Sequence, residues 1–276
     1  MIACSPTYLP EDANPGTDNG AGVDAGMDSD AVVEPKPSTD GGDVVDAAPP
    51  SSRFCSSVGL PDGAAPNTDL ICADFDGPIV TEGATASADA GLTATSMTAI
   101  SAPNALLAKA PFGTTFQKRG PSVEWSRLGA PITLLDGTVG VNRAAPIGVT
   151  GSGQTGPIEV FALTTELTRT ALYFSRTDGW MVRTTFSGAG YNESQDLITT
   201  QLVEGKWTRV TLRYNVRTGR VVVLYDGVIV FSKVKYSVPV ALADSKATIV
   251  LGAVASGSTS FEDFRFDNLV ATVTRE

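Results

Sequence analysis

Residues 205–233 read GKWTRVTLRYNVRTGRVVVLYDGVIVFSK, and this stretch limits what the chain can fold into more than any other. From Trp207 onward apolar and polar residues alternate. Thr208, Val210, Leu212, Tyr214 and Val216 share one parity, and Trp207, Arg209, Thr211, Arg213 and Asn215 share the other. Successive side chains of an extended chain point to opposite faces, so this is a strand with one face on a core and one in solvent. RTG turns the chain. VVVLY is a second strand, apolar on both parities and therefore expected to be covered on both faces. DG turns the chain again, and VIVFSKV is the third strand of an antiparallel meander. The aspartate thus belongs to a turn, and the tryptophan and arginines to a strand face.

The same signals recur along the chain. ALYFSR, TDG and WMVRTTF form an earlier hairpin, with IEVFALTTE (158–166) before it. KATIVLGAV and FRFDNLVATV follow the meander, and LICADFD, LTATSMTAI, NALLAKA and SVEWSRL precede the hairpin. Asp76-Gly77, Asp136-Gly137, Asp178-Gly179, Thr218-Gly219 and Asp226-Gly227 read as turns, because these residue types tolerate positive φ. About a dozen strands, long loops, no helical periodicity and no repeat of fixed period predict an all-β, two-sheet antiparallel jelly-roll sandwich.

Charge divides the chain in two. Residues 1–50 hold ten acids against a single base, Lys36, so the remaining residues carry 20 acids and 19 bases and are nearly neutral. The first segment is rich in Asp, Gly, Ala and Pro and lacks hydrophobic periodicity. It cannot bury enough apolar surface to offset the entropy of ordering, and is expected to be a disordered linker preceding a domain at 51–276. Asp24, Asp28 and Asp30 do not keep the spacing of a calcium loop, and no Glu closes one. MIACS at the start resembles the end of a bacterial lipoprotein signal, with Cys4 as the lipidated residue. A polar spacer after it is what a surface-tethered domain requires.

Cys55 and Cys72 remain, and an exported protein would join them. Their spacing without any histidine is poor for zinc. The bridge would close a loop of about 16 residues and contribute about 3 kcal/mol in the chain-entropy account. No apolar run approaches the roughly 18–20 residues that cross a bilayer as a helix, so membrane attachment is expected through lipid alone.

CADFDG, SAPNALLAK, GKWTRVTLRYN…GRVVVLYDGVIVF and FRFDNLVATV, in that order over about residues 70–275, resemble a concanavalin A-like lectin/glucanase (LamG-like) domain of the kind found on bacterial lipoproteins. The resemblance implies the jelly-roll sandwich, with LICADFD beside FRFDNLV. It implies function only loosely, since this sandwich carries lectins, hydrolases, lyases and adhesion modules alike. It also implies a structural calcium, for which Asp76, Asp267 and Asn268 are the candidate oxygen ligands.

The chain has no histidine, which excludes His-dependent nucleophilic, general-base and metal chemistry. Glucanases of this sandwich place their carboxylates on one strand as Glu-x-Asp-x-x-Glu. Glu124, Glu159, Glu166, Glu193, Glu204 and Glu262 all lack that spacing. A lyase using Tyr and Arg would draw on Tyr173, Arg183 and Arg213, all on predicted strands. Asp178 and Asp226 are each followed by Gly and read as turn residues. Ligand-binding candidates are Trp180 after a DG turn, Tyr191 and Asn192 in the loop SGAGYNESQD, and Tyr236, since aromatic residues in loops form recognition surfaces. Trp125 and Trp207 read as packing residues. The near-neutral domain has no basic stripe for nucleic acid. The sequence therefore reads as an exported, lipid-anchored outer-membrane or cell-surface lipoprotein, a non-enzymatic module binding carbohydrate or another surface ligand. The alternatives are a structural or adhesion module for protein, and a polysaccharide hydrolase or lyase.

Overall fold

The computed structural model describes residues 53–76, 84–87, 91–96, 99–100, 104–110, 120–144, 156–188, 192–238, 244–255 and 262–276. They lie within one compact unit, Ala47–Glu276. Residues 1–50, and Cys4 with them, lie outside the described residues, as does Tyr191.

One short helix, α1 (Arg53–Ser57), precedes the strands. These are β1 (Thr68–Ala73), β2 (Ala84–Ala86), β3 (Leu92–Thr95), β4 (Ala105–Lys109), β5 (Ser122–Leu128), β6 (Ile132–Ala144), β7 (Ile158–Thr164) and β8 (Thr168–Ser175). β9 (Gly179–Phe186), β10 (Asn192–Leu197), β11 (Thr208–Asn215), β12 (Arg220–Tyr225), β13 (Val228–Val234), β14 (Lys246–Ala255) and β15 (Asp263–Arg275) complete the set. All pairings are antiparallel. An eight-stranded sheet runs β13-β12-β11-β6-β15-β4-β3, with β1 also on β15, and a seven-stranded sheet runs β10-β9-β8-β7-β14-β5-β2. The two-sheet sandwich expected from the strand pattern is present, and β1 lies on β15 with Cys72 opposite Val270.

The meander is β11-β12-β13. On β11 the predicted parity holds: Val210, Leu212 and Tyr214 are fully buried while Arg209 and Arg213 are exposed. On β12 it needs correcting, because only Val221, Val223 and Tyr225 are buried, and Val222 and Leu224 on the outer face are half-exposed. The Asp226-Gly227 turn has φ of 49° and 83°, the positive pair a type I′ hairpin demands.

Asp136-Gly137 is not a turn. It lies inside β6, a 13-residue central strand with β11 on one side and β15 on the other. A Cβ on Gly137 would stand 2.6 Å from Cζ of Phe161 on the facing sheet, so the glycine makes room for a core aromatic.

The core fills the space between the sheets. Phe174, Trp180 and Phe264 form a cluster of edge-on and tilted rings, with centroids 5.3–6.1 Å apart. Trp125 packs against Phe75. On one side the sheet edges are joined by Lys233 and Lys235, on and just after β13, which both pair with Asp196 on β10. Cys55 and Cys72 are disulfide-bonded, with Cα atoms 5.7 Å apart, and the bond fastens α1 to β1.

Candidate functional site

Strands β8, β9 and β7 each turn one parity to the core and the other outward from the seven-stranded sheet. Leu172 and Phe174 of β8 and Trp180 and Val182 of β9 belong to the main core. Tyr173 and Met181 belong to a second apolar cluster, with Ala162, Ala171 and Val250, on the outer face. β7 reaches the same face through a bulge between Glu159 and Phe161. Val160 and Phe161 both face the core, and Glu159 and Ala162 are left outside.

Register brings the polar residues of this face together. Glu159 is opposite Tyr173, and Arg169 is opposite Thr164. Arg183 is opposite Ala171 on one side and Gln195 on the other. Tyr173 donates its hydroxyl hydrogen to Glu159 Oε2 at 2.6 Å, and Arg169 Nε donates to the same oxygen at 3.0 Å. Arg169 Nη2 pairs with Glu159 Oε1, so the guanidinium grips both carboxylate oxygens. The Glu159 carboxylate is only 2% exposed and is neutralised in place. The Arg183 guanidinium lies over the Tyr173 ring, 4.8 Å from its centre. Its edge is held by Gln195 Oε1 at 2.8 Å and by Glu193 at 3.0 Å.

Burial, and then the adjacent Glu159 carboxylate, push the Tyr173 phenol well above the ordinary tyrosine range. Burial also pushes up Tyr225, and pushes Tyr214 up to about 12. A folded pKa above the unfolded one stabilises the protonated form. That contribution is complete below the unfolded value of 10.0 and is lost as pH rises through the folded values. Phenolate absorbance is therefore expected to show these three tyrosines ionising late and together with loss of the fold. All tyrosines titrating near the ordinary value with the sandwich intact would contradict this.

The sequence-predicted residues are distributed unevenly about this site. Tyr173 and Arg183, considered together for a lyase, are in contact; Arg213 is on the other sheet, its Nε donating to Asp136 at 2.7 Å. Asn192 is exposed at the start of β10. Tyr236 follows β13, is half-buried and stacks on Phe186 with centroids 6.1 Å apart, so one ring face is already used. Trp180 is a correction. It is buried, because it shares the inward parity of Val182, and its ring faces, packed against Phe174 and Phe264, are closed to stacking by a ligand, although its edge borders a cleft.

The oxygen ligands considered for calcium are engaged by backbone. Asp76 Oδ1 accepts from the Asn104 amide at 3.1 Å, and Asp267 Oδ2 accepts from the Ile100 amide at 2.8 Å. Asn268 has φ of 54° and sits at the β15 bulge between Asp267 and Val270. It lines a cleft of about 280 Å³ on the outer side of the eight-stranded sheet, with Phe54, Trp207 and Arg209. Beside Asp76, the Asp74 carboxylate is buried and its Oδ2 has no hydrogen-bond partner. Among the described residues no group of three or more His, Cys, Asp or Glu is placed to hold a metal ion.

Sequence reasoning missed Glu159 and Arg169 as members of a site. The signal was available only in register. The TDG turn sets Tyr173 opposite Met181, and Arg183 follows on the same face.

No family model matches the chain, and no curated protein does. Solved structures share its fold. An endo-β-1,4-glucuronan lyase of the fungus Trichoderma reesei superposes with a TM-score of 0.53 at 14% identity, covering 66% of this chain and 86% of its own. The CBM2 module of the evolved Dit protein of Lactobacillus casei BL23 phage J-1 gives 0.51 at 14% identity, covering 76% and 98%. A mixed linkage glucan family 16 glycoside hydrolase of Bacteroides ovatus gives 0.50 at 8% identity, covering 72% and 98%. With two antiparallel sheets in this order and these structural neighbours, the fold is a concanavalin A-like jelly-roll sandwich.

Proposed function

We propose that the protein is an exported, non-catalytic module that binds carbohydrate on the outer face of its seven-stranded sheet. The observation that carries this reading is the Arg183 arrangement. A partly exposed guanidinium fixed by Glu193 and Gln195 stands over Tyr173, above the buried apolar residues Ala162, Ala171, Met181 and Val250. Fixed, partly exposed donors and acceptors on a rigid base suit the hydroxyls at the rim of a sugar ring. The named fold neighbours include a glucuronan lyase, a glucan-degrading enzyme and a CBM module, which supports the ligand class.

The same geometry argues against turnover. Tyr173 is buried and its hydroxyl already donates to Glu159, so it is not presented to a substrate as a base. Glu159 is held by Arg169 and Tyr173, and Glu193 by Arg183, so neither is a free carboxyl group of the kind glycoside hydrolysis uses. A glycan array tests the reading, and failure to bind any glycan at high density would overturn it.

In this proposal Cys4 carries the lipid, and the acidic segment of residues 1–50 is the tether that lets the domain reach a surface ligand. Palmitate labelling that survives Cys4→Ser would refute the anchor. We infer a calcium beside β1 from the buried, unpartnered Asp74 Oδ2 next to Asp76, with backbone carbonyls and water as its remaining oxygens. Chelation is then expected to lower the melting temperature, by linkage of binding to folding, and identical melts with calcium and chelator would remove the ion from the account.

A further inference from the structure

A second polar site lies at one end of the sandwich, between the sheets and away from the Arg183 face. A cleft of about 510 Å³ is lined by Arg143 from β6, Phe174 from β8, Arg176 in the β8–β9 turn, Trp180 from β9, and Gln201 and Glu204 from the segment before β11. That volume is within the roughly 300–1,000 Å³ of small-molecule sites. Two hydrogen-bond donors here are buried without acceptors, Trp180 Nε1 and Arg143 Nε. A buried donor without an acceptor costs free energy that a ligand oxygen would restore.

The state of Arg143 specifies the ligand. Its guanidinium rests on the Phe174 ring, 4.5 Å from the centre. Nη1 faces Glu262 at 3.4 Å, and Glu262 is completely buried and also paired with Arg176. Nη2 donates to Glu204 Oε2 at 2.6 Å. Nε and Nη2 form the edge of a guanidinium that a carboxylate can grip with both oxygens, and Glu204 uses only half of it. The Glu204 side chain is 43% exposed, so its ion pair is worth little and is easily exchanged. Glu262, by contrast, has two arginines and no exposure, and stays.

We propose that this cleft binds a carboxylate-bearing sugar, whose carboxylate displaces Glu204 and takes both Nε and Nη2 of Arg143, and whose hydroxyl or ring oxygen accepts from Trp180 Nε1. The exchange is one carboxylate for another, so the local charge is unchanged. The terminal uronate of a glycan and a free sugar acid present the same group. The proposal is independent of the sheet-face site.

Calorimetric titration of the whole protein with D-glucuronate, D-glucose and acetate tests it, using the wild type and the variants Glu204→Gln, Arg143→Lys and Trp180→Phe, with melts to verify folding. D-Glucuronate is expected to bind, glucose not to bind, and acetate to bind at least tenfold more weakly. Glu204→Gln removes the competing carboxylate and is expected to tighten glucuronate about tenfold. Arg143→Lys keeps a cation for Glu262 but loses the two-donor edge, and is expected to weaken binding at least tenfold. Trp180→Phe keeps the ring and loses one hydrogen bond, for a loss of about threefold to tenfold. A polymer with terminal uronate binding like the monosaccharide would identify a glycan source, and a polymer excluded while the monosaccharide binds would identify a free sugar acid. No glucuronate binding by wild type or Glu204→Gln, equal binding of glucose or acetate, or an unchanged affinity in Arg143→Lys would each overturn the proposal.

Discussion

Replacing Arg169 by alanine is expected to lower the stability of the sandwich by about 3–5 kcal/mol, because it strands a buried carboxylate. Glu159 is 2% exposed, has Arg169 on both of its oxygens, and accepts a further hydrogen bond from Tyr173. Without the guanidinium, the carboxylate must ionise in a poorly solvated site or take up a proton. In a domain of this size that loss corresponds to a fall in melting temperature on the order of 10 °C. The double variant Arg169→Met with Glu159→Leu is expected to recover most of the loss, since a well-packed apolar pair can replace a buried ion pair at little net cost. Urea unfolding measures both. A loss below about 1 kcal/mol for Arg169→Ala would show that Glu159 is solvated, and would undo the description of this face.

The second large effect is expected at Gly137. Valine suits a strand, so propensity alone predicts a gain from Gly137→Val. The structure predicts the reverse, a loss of about 3 kcal/mol, because the new Cβ would stand 2.6 Å from the fully buried Phe161 ring at the centre of the sandwich. Trimming the obstacle gives the control. In a Phe161→Leu background, Gly137→Val is expected to cost much less than in the wild type, a coupling that a double-mutant cycle reads directly. Equal costs in both backgrounds would mean that the sheets do not meet at this point.

These two positions also show how far the sequence could be read. Local alternation was enough for β11, where the polar and apolar parities match the exposed and buried positions, and for the Asp226-Gly227 turn. It failed for Asp136-Gly137, because the same dipeptide serves two purposes. At Gly227 the backbone needs positive φ, whereas at Gly137 a side chain from the other sheet needs the space. Nothing near Gly137 in sequence announces Phe161. β10 looks like a loop in sequence because NESQDL has almost no apolar residue, as befits an edge strand. Its place after a turn suggests a surface position for Trp180, but its alternation with Val182 points it inward. Tyr173 and Arg183 could be placed on strands, but their contact with each other and with Glu159 depends on the β7–β8–β9 register and on a bulge, which hydrophobic pattern does not encode.

The cleft at Arg143 was illegible for a similar reason. Its residues come from β6, from the β8–β9 hairpin and from the segment before β11, and they meet only when the two sheets close. Glu204 and Glu262 lack a strand-borne spacing partner. They come within reach of each other through Arg143, which no spacing rule would find.

The proposed ligand site is the outer face of the seven-stranded sheet, with Arg183 as its anchor. The most direct measurement is the affinity of Arg183→Ala for whichever glycan the wild type binds, with the melting temperature followed in parallel. Binding is expected to fall at least tenfold while the melting temperature changes little, since the Arg183 side chain is partly exposed and lies outside the core. Undiminished binding by a folded Arg183→Ala protein would contradict it.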